Sequence, residues 1–144
     1  MVICGTGLVA MALAELATRL DFKVSIHAAN RPINGESIIE GFDFEAPDFV
    51  VVATQGQGDT DALRAAISTS PDYVSFVGSL LKFETITAKI IAQNAELEPE
   101  IKKVRAPAGI KIDAITPVEI AMSILAEIIQ VRREKFSTRE RNDA

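Results

Sequence analysis

What the 144-residue chain lacks narrows its class before any motif is read. It has a single cysteine, Cys4, which excludes an internal disulfide framework and fits a reducing, cytoplasmic compartment. It has one histidine, His27, and neither H-E-x-x-H nor C-x-x-C, so no thiol- or imidazole-rich metal site is expected. No apolar run approaches the roughly 18 residues of a membrane span, and Met1 leads straight into an apolar strand, so no signal peptide is expected either. Basic charge is short as well. The chain carries 15 Lys and Arg against 20 Asp and Glu, a net charge of −5, which leaves no electrostatic case for nucleic acid or an anionic membrane. The late basic residues Arg132, Arg133, Arg139 and Arg141 alternate with Glu134 and Glu140 and read as a solvated tail. There is no Trp, no G-x-S-x-G nucleophile elbow and no Walker A lysine. Aromatics are only 6% of a chain that is 48% hydrophobic, and that aliphatic bias suits helices packed on a parallel sheet. The length fits one domain.

What the chain does have is glycine at the ends of apolar runs. Val2-Ile3-Cys4 leads into Gly5-Thr6-Gly7-Leu8-Val9-Ala10, a G-x-G-x-x-A arrangement between a strand and a helix. The first glycine permits the tight turn. The second has no Cβ, so a pyrophosphate can approach the backbone at the positive end of the following helix. Val9, Leu13, Leu16 and Leu20 mark that helix, and Phe22 to His27 reads as a second strand. The segment from Ala28 to Pro47 has no sustained period and holds at most a short strand or helix around Ser37-Ile38-Ile39. Phe49 to Ala53, apolar on both faces, reads as a central parallel strand. It runs into Thr54-Gln55-Gly56-Gln57-Gly58-Asp59, where Asp59 is a candidate helix N-cap. Tyr73 to Val77 forms a further strand ending at Gly78-Ser79, and Glu96 to Lys103 reads as a short helix or turn. Thr116-Pro117-Val118-Glu119 spells a capping box for a last helix to about Val131, with residues 1–134 the domain and 135–144 a flexible tail.

Three glycine turns at strand ends predict a shared ligand crevice at the carboxyl edge of an open α/β sheet. The candidate cofactor-binding residues are Gly5, Thr6, Gly7, Leu8, Val9, Asn30, Arg31, Thr54, Gln55, Gly56, Gly58, Gly78 and Ser79. An NAD site would place a carboxylate after the second strand. Here His27-Ala28-Ala29-Asn30-Arg31 stands instead, so Arg31 pairing with a 2′-phosphate favours NADP if a nicotinamide dinucleotide binds. A solvated Arg31 and a pocket without dinucleotide affinity is the equal alternative. His27 reads as a structural or exposed histidine, and Cys4 as a buried, inert thiol. No length is left for a separate substrate domain, so no catalytic residue is assigned and no independent turnover is expected.

Together these motifs resemble the C-terminal Rossmann domain of the XdhC/CoxI family, accessory factors that mature xanthine and carbon monoxide dehydrogenases. The resemblance rests on the first glycine loop, Thr54-Gln55-Gly56-Gln57-Gly58-Asp59, Gly78-Ser79 with Lys82, Ala106-Pro107-Ala108-Gly109-Ile110, and Thr116-Pro117-Val118-Glu119-Ile120-Ala121. It implies a Rossmann-like three-layer fold, a mostly parallel sheet with helices on both faces. It also implies handling of a molybdopterin cofactor and delivery to a molybdenum hydroxylase. The chain departs from the family pattern at Gln57, Leu80, Leu81 and Ala28, which stand where a histidine, two basic residues and an acidic residue are usual. The family's cysteine-bearing N-terminal half is not among these residues, so the expected partners are a molybdenum hydroxylase or a separate N-terminal-type subunit, together with a homo-oligomer. Two alternatives stay open: an NADP-binding oxidoreductase subunit that needs a second chain, and a degenerate interaction module.

Overall fold

The computed structural model describes residues 1–143. Its centre is a parallel sheet of five strands: β1 (Val2–Cys4), β2 (Ser25–Ala28), β3 (Ile38–Glu40), β4 (Phe49–Val52) and β5 (Tyr73–Phe76), in the order β3-β2-β1-β4-β5. The register pairs Ile3 with Ile26 on one side and with Val51 on the other. β1 therefore lies beside both β2 and β4, and the chain reverses its direction of travel across the sheet between them. That is the switch point of a doubly wound sheet.

Alternation along the strands divides the interior into two layers. Ile3, Val51 and Tyr73 face α1 (Leu8–Arg19) and the last helix, where Leu13, Ile124 and Ile128 are buried. Val2, Cys4, Val50, Val52 and Phe76 face α2 (Asp59–Ser68) and α3 (Leu80–Gln93), where Leu63, Ile67 and Ile90 are buried. Each of these side chains contributes about 1.5–3 kcal/mol of transfer free energy. A 3₁₀ turn (Ala95–Leu97) and α4 (Glu98–Ile101) occupy the charged stretch expected to be a short helix or turn, and Ile101 anchors it in the second layer. The outer edge of β5 is closed by Arg105, which exchanges backbone hydrogen bonds with Val74 and Phe76.

The last helix, α5 (Pro117–Asp143), starts as its sequence spells. The Thr116 hydroxyl accepts from the Glu119 amide at 3.2 Å, and the Glu119 carboxylate accepts from the Ile115 and Thr116 amides at 2.9 Å each. Those backbone donors hold the Glu119 carboxyl below its ordinary pKa. α5 then continues through Asp143 as helix, where the sequence led us to expect a flexible tail from residue 135; Ala144 lies outside the described residues. The run of Arg, Glu and Lys after Val131 has high helix propensity, enough to extend a helix already nucleated by packing. No helix among the described residues is long and apolar enough to cross a membrane.

Candidate functional site

All three glycine turns lie at the carboxyl edge of the sheet, where three cavities open: residues of the first and second turns share one, residues of the second and third share another, and Gly78 faces a third. The first, of about 230 Å³, sits at the switch point between β1 and β4 and is lined by Gly5, Thr6, Gly7, Ala28, Ala29, Thr54, Gln55 and Gln57. The second, of about 740 Å³, lies between α2 and α3 against Gly56, Gly58, Asp59, Ser79, Leu81, Lys82 and Lys89. The third, of about 560 Å³, lies beyond β5 against Gly78 and the 107–114 loop.

The first turn is built by backbone. Gly5 has φ of +122°, donates to the His27 carbonyl at 2.7 Å, and sits so close to β4 that a Cβ would overlap the Ala53 carbonyl oxygen. Only glycine fits there. Gly7 is different: its φ is −75°, and an added Cβ would meet only the end of the Gln55 side chain, at 2.5 Å. The packing frees Gly7 for a side chain far more readily than it frees Gly5. Gly7 is also the N-cap of α1, and no side chain caps that helix end or places an acid in its first turn. The first amides of α1 thus keep their partial positive charge unanswered. Of the three other candidates in this segment, Thr6 lines the switch-point cavity, Leu8 is exposed and Val9 is buried in the α1–α5 core.

The second turn is built by a carboxylate. Asp59 is the first residue of α2, not its N-cap; Gly58, in the left-handed region at φ +85°, takes that place. The Asp59 carboxylate instead accepts from the Thr54 hydroxyl and from the Gly56 amide at 2.8 Å, and pairs with Lys82 Nζ at 3.0 Å. Burial works to raise its pKa. The donors from Thr54 and Gly56, together with Lys82, outweigh that and hold it below the ordinary value. Thr54 is therefore engaged in holding the loop. The third turn is capped, since the Ser79 hydroxyl accepts from the Lys82 amide at 3.1 Å.

Asn30 and Arg31 are exposed and do not line the switch-point cavity; Ala28 and Ala29 do. Among the described residues no carboxylate lies within ion-pair distance of Arg31. His27 is buried beneath the loop. Its Nδ1 donates to the Gly41 carbonyl at 3.1 Å, which leaves Nε2 to accept from the Ser25 hydroxyl at 3.2 Å. Burial pushes the Cys4 thiol up to about 12, so it is an inert core residue. Leu80 and Leu81 are exposed at the start of α3.

One polar cluster was not foreseen from the sequence. Buried Glu127 of α5 accepts from the Tyr73 hydroxyl at 2.6 Å and the Gly109 amide at 3.1 Å, with Arg105 at 3.8 Å. Burial, reinforced by the hydrogen bond to Glu127, raises the Tyr73 pKa above its ordinary value.

A five-stranded parallel sheet in the order β3-β2-β1-β4-β5, with helices on both faces and a bare, glycine-capped helix end at its switch point, defines a Rossmann-like domain. More narrowly, the family model described as the XdhC Rossmann domain matches residues 1–128, and the chain belongs to that family. It is 30% identical to the uncharacterized protein YqeB of Escherichia coli (strain K12), an alignment covering 92% of this chain and 27% of YqeB. A solved structure of a xanthine dehydrogenase from Bacillus halodurans superposes with a TM-score of 0.72 at 25% identity, over 92% of this chain and 42% of that one. The chain thus spans about a quarter of the curated relative and under half of the solved neighbour.

Proposed function

We propose that this chain is an accessory domain in the maturation of a molybdenum hydroxylase of the xanthine or carbon monoxide dehydrogenase type. In this role it holds a molybdopterin or nucleotide-containing cofactor by phosphate at the β1–α1 turn and performs no turnover of its own. The observation that carries the binding half is the α1 N-terminus: no side-chain cap, no acid in the first turn, and a glycine facing a cavity at the switch point. That arrangement favours an anion over any other occupant. Membership of the XdhC Rossmann family and the likeness to a structure titled a xanthine dehydrogenase support the maturation half. Such a cofactor carries molybdenum on its own dithiolene sulfurs and asks the protein for phosphate and ring contacts. The domain works in the cytoplasm with its client enzyme, or with another subunit of the same family, and as a homo-oligomer.

A second reading, an NADP-dependent oxidoreductase subunit completed by another chain, draws on Arg31, exposed after β2 and, among the described residues, with no carboxylate in ion-pair distance. Thermal melting with NAD, NADP, molybdopterin and molybdopterin cytosine dinucleotide separates the two. A ligand at 100 times its Kd adds about 2.7 kcal/mol to the folded state. We expect stabilisation by the molybdopterin forms, lost in Gly7→Asp. Stabilisation by NADP alone, lost in Arg31→Ala, would replace the first reading by the second. No shift with any ligand would remove both and leave an interaction module, for which the exposed Leu80 and Leu81 supply the apolar surface.

A further inference from the structure

We infer that the end of α5, from Arg132 to Asp143, is a self-docking arm: a second copy of this chain lies along it antiparallel, about a two-fold axis between Ser137 and Thr138. This rests on the homo-oligomer named above and gives that oligomer its contact.

The arm begins where the core ends. Val131 is the last buried residue of α5, and the family match stops at residue 128. From Arg132 to Asp143 the helix runs on for about 18 Å, at about 1.5 Å per residue. Its one large apolar side chain, Phe136, is 57% exposed. Helix propensity lets the chain continue, but a helix that is polar all round needs something to answer its charges. Within one copy almost nothing does. Among the described residues Lys135 alone of the arm's charges has an ion-pair partner, Asp72, while Arg132 stacks over the Phe22 ring at 4.6 Å. Lys135 and Arg139 are like charges one helical turn apart, which repel.

The order of the signs indicates what does answer them. Arg132, Phe136, Arg139 and Asp143 recur at spacings of four, three and four, so they form one stripe along the arm. Turned end for end, that stripe is its own complement. Arg132 meets the partner's Asp143, and Phe136 lies under the guanidinium of the partner's Arg139, each contact being made twice. Beside the stripe, Arg133 comes within reach of the partner's Glu140. A parallel mate would set Arg132 against the partner's Arg132, and repulsion excludes it. A mate of a single sign fits poorly too: an acidic surface would meet Glu134, Glu140 and Asp143 as well as the cations between them. A second copy carries the same signs in reverse order and answers both.

The body leaves room for this mate. A cavity of about 170 Å³ lies in the corner where the arm leaves the domain, between Arg132, Phe136 and Arg139 on one side and Asp48, Phe49 and Asp72 on the other. The tip of the antiparallel mate sits in that corner. Asp48 precedes β4 and Asp72 precedes β5, so the corner is at the amino edge of the sheet, away from the glycine turns. Pairing therefore leaves the β1–α1 turn of both copies open. Two arms of this length bury less than the roughly 800 Å² per partner of a standard interface. The dimer is accordingly weak and, being held by exposed charges, sensitive to salt.

Sedimentation equilibrium of the 144-residue chain tests this. Arg133 and Glu140 are both exposed and, among the described residues, in no ion pair, so exchanging their charges leaves the fold of one copy intact. We expect a wild-type dimer whose Kd rises roughly tenfold between low and high salt. Arg133→Glu and Glu140→Arg should each weaken it by roughly fivefold, since each turns two attractions into two repulsions. The doubly exchanged chain should return to within about twofold of the wild type. If the wild type dimerises and neither single variant weakens it, or if the double exchange restores nothing, the homo-oligomer stands and the arm contact falls. If the wild type stays monomeric up to its solubility limit, the homo-oligomer reading fails and the arm contact fails with it. A monomer that binds polyglutamate, with binding lost in Arg133→Glu, would assign the arm to an acidic partner and overturn self-docking.

Discussion

The first and second glycine turns use the same residue vocabulary and are built in opposite ways. At the first, backbone alone makes the turn, and the helix that follows begins bare. At the second, the helix begins with Asp59 and Asp61, and Asp59 is consumed by Thr54, Gly56 and Lys82. A helix N-terminus attracts an anion only if no carboxylate of the protein already answers it. The first turn is therefore open to phosphate, whereas the second stiffens the loop that forms the opposite wall of the same cavity. A shared glycine spelling does not imply a shared role.

The largest expected effect tests the backbone half of this contrast. Gly5→Val adds the strain of a non-glycine residue at positive φ, about 1–3 kcal/mol, to an overlap with the Ala53 carbonyl costing about as much again. We expect a loss of at least 3 kcal/mol, or a fall in Tm of about 10 °C, in a circular dichroism melt. Gly7→Ala in the same assay should cost under about 1 kcal/mol, because only the Gln55 side chain must move. Equal losses at the two glycines would break the contrast.

Next in size is Asp59→Ala. It leaves the Thr54 hydroxyl, the Gly56 amide and the Lys82 ammonium without their acceptor, at a cost of about 2 kcal/mol in urea denaturation. Glu127→Ala should cost about as much or more for the same reason, with Tyr73→Phe nearer 1 kcal/mol. Glu127→Ala should also free the 107–114 loop, read as faster amide exchange at Gly109 and Ile110.

The smallest effect is in acid. The Asp59 pKa is depressed on folding, so its contribution is complete above the unfolded value near 3.9 and is lost as pH falls through the lower folded value. Stability measured from about pH 5 to pH 2 should fall less steeply in Asp59→Asn than in the wild type. An unchanged slope would mean that the second turn does not depend on a charged Asp59.

Much of this fold was legible because its signals are local. The glycine loop after Cys4, the apolar run before Thr54 and the capping box at Thr116 each lie within a few residues, and each sits where its spelling placed it. Asp59 was misread because a carboxylate at a helix start spells an N-cap whether or not it caps. The first two turns line one cavity together, whereas Gly78 of the third faces another beyond β5, a division that strand order alone does not spell. Arg31 stood in the right place along the chain, yet Ala28 and Ala29 line the cavity instead. Glu127 could not be found by spacing, since its partners lie 18 and 54 residues away and only the packing of α5 beside β5 joins them.

The central claim is that phosphate lies at the bare start of α1. The most direct test is a ¹H–¹⁵N titration of the chain with molybdopterin cytosine dinucleotide and with NADP, following backbone amides at both turns. The account predicts saturable shifts at Thr6, Gly7, Leu8 and Val9, with Thr60 and Asp61 at the start of α2 unmoved. Shifts confined to the start of α2, or no shifts at the first turn with either ligand, would contradict it.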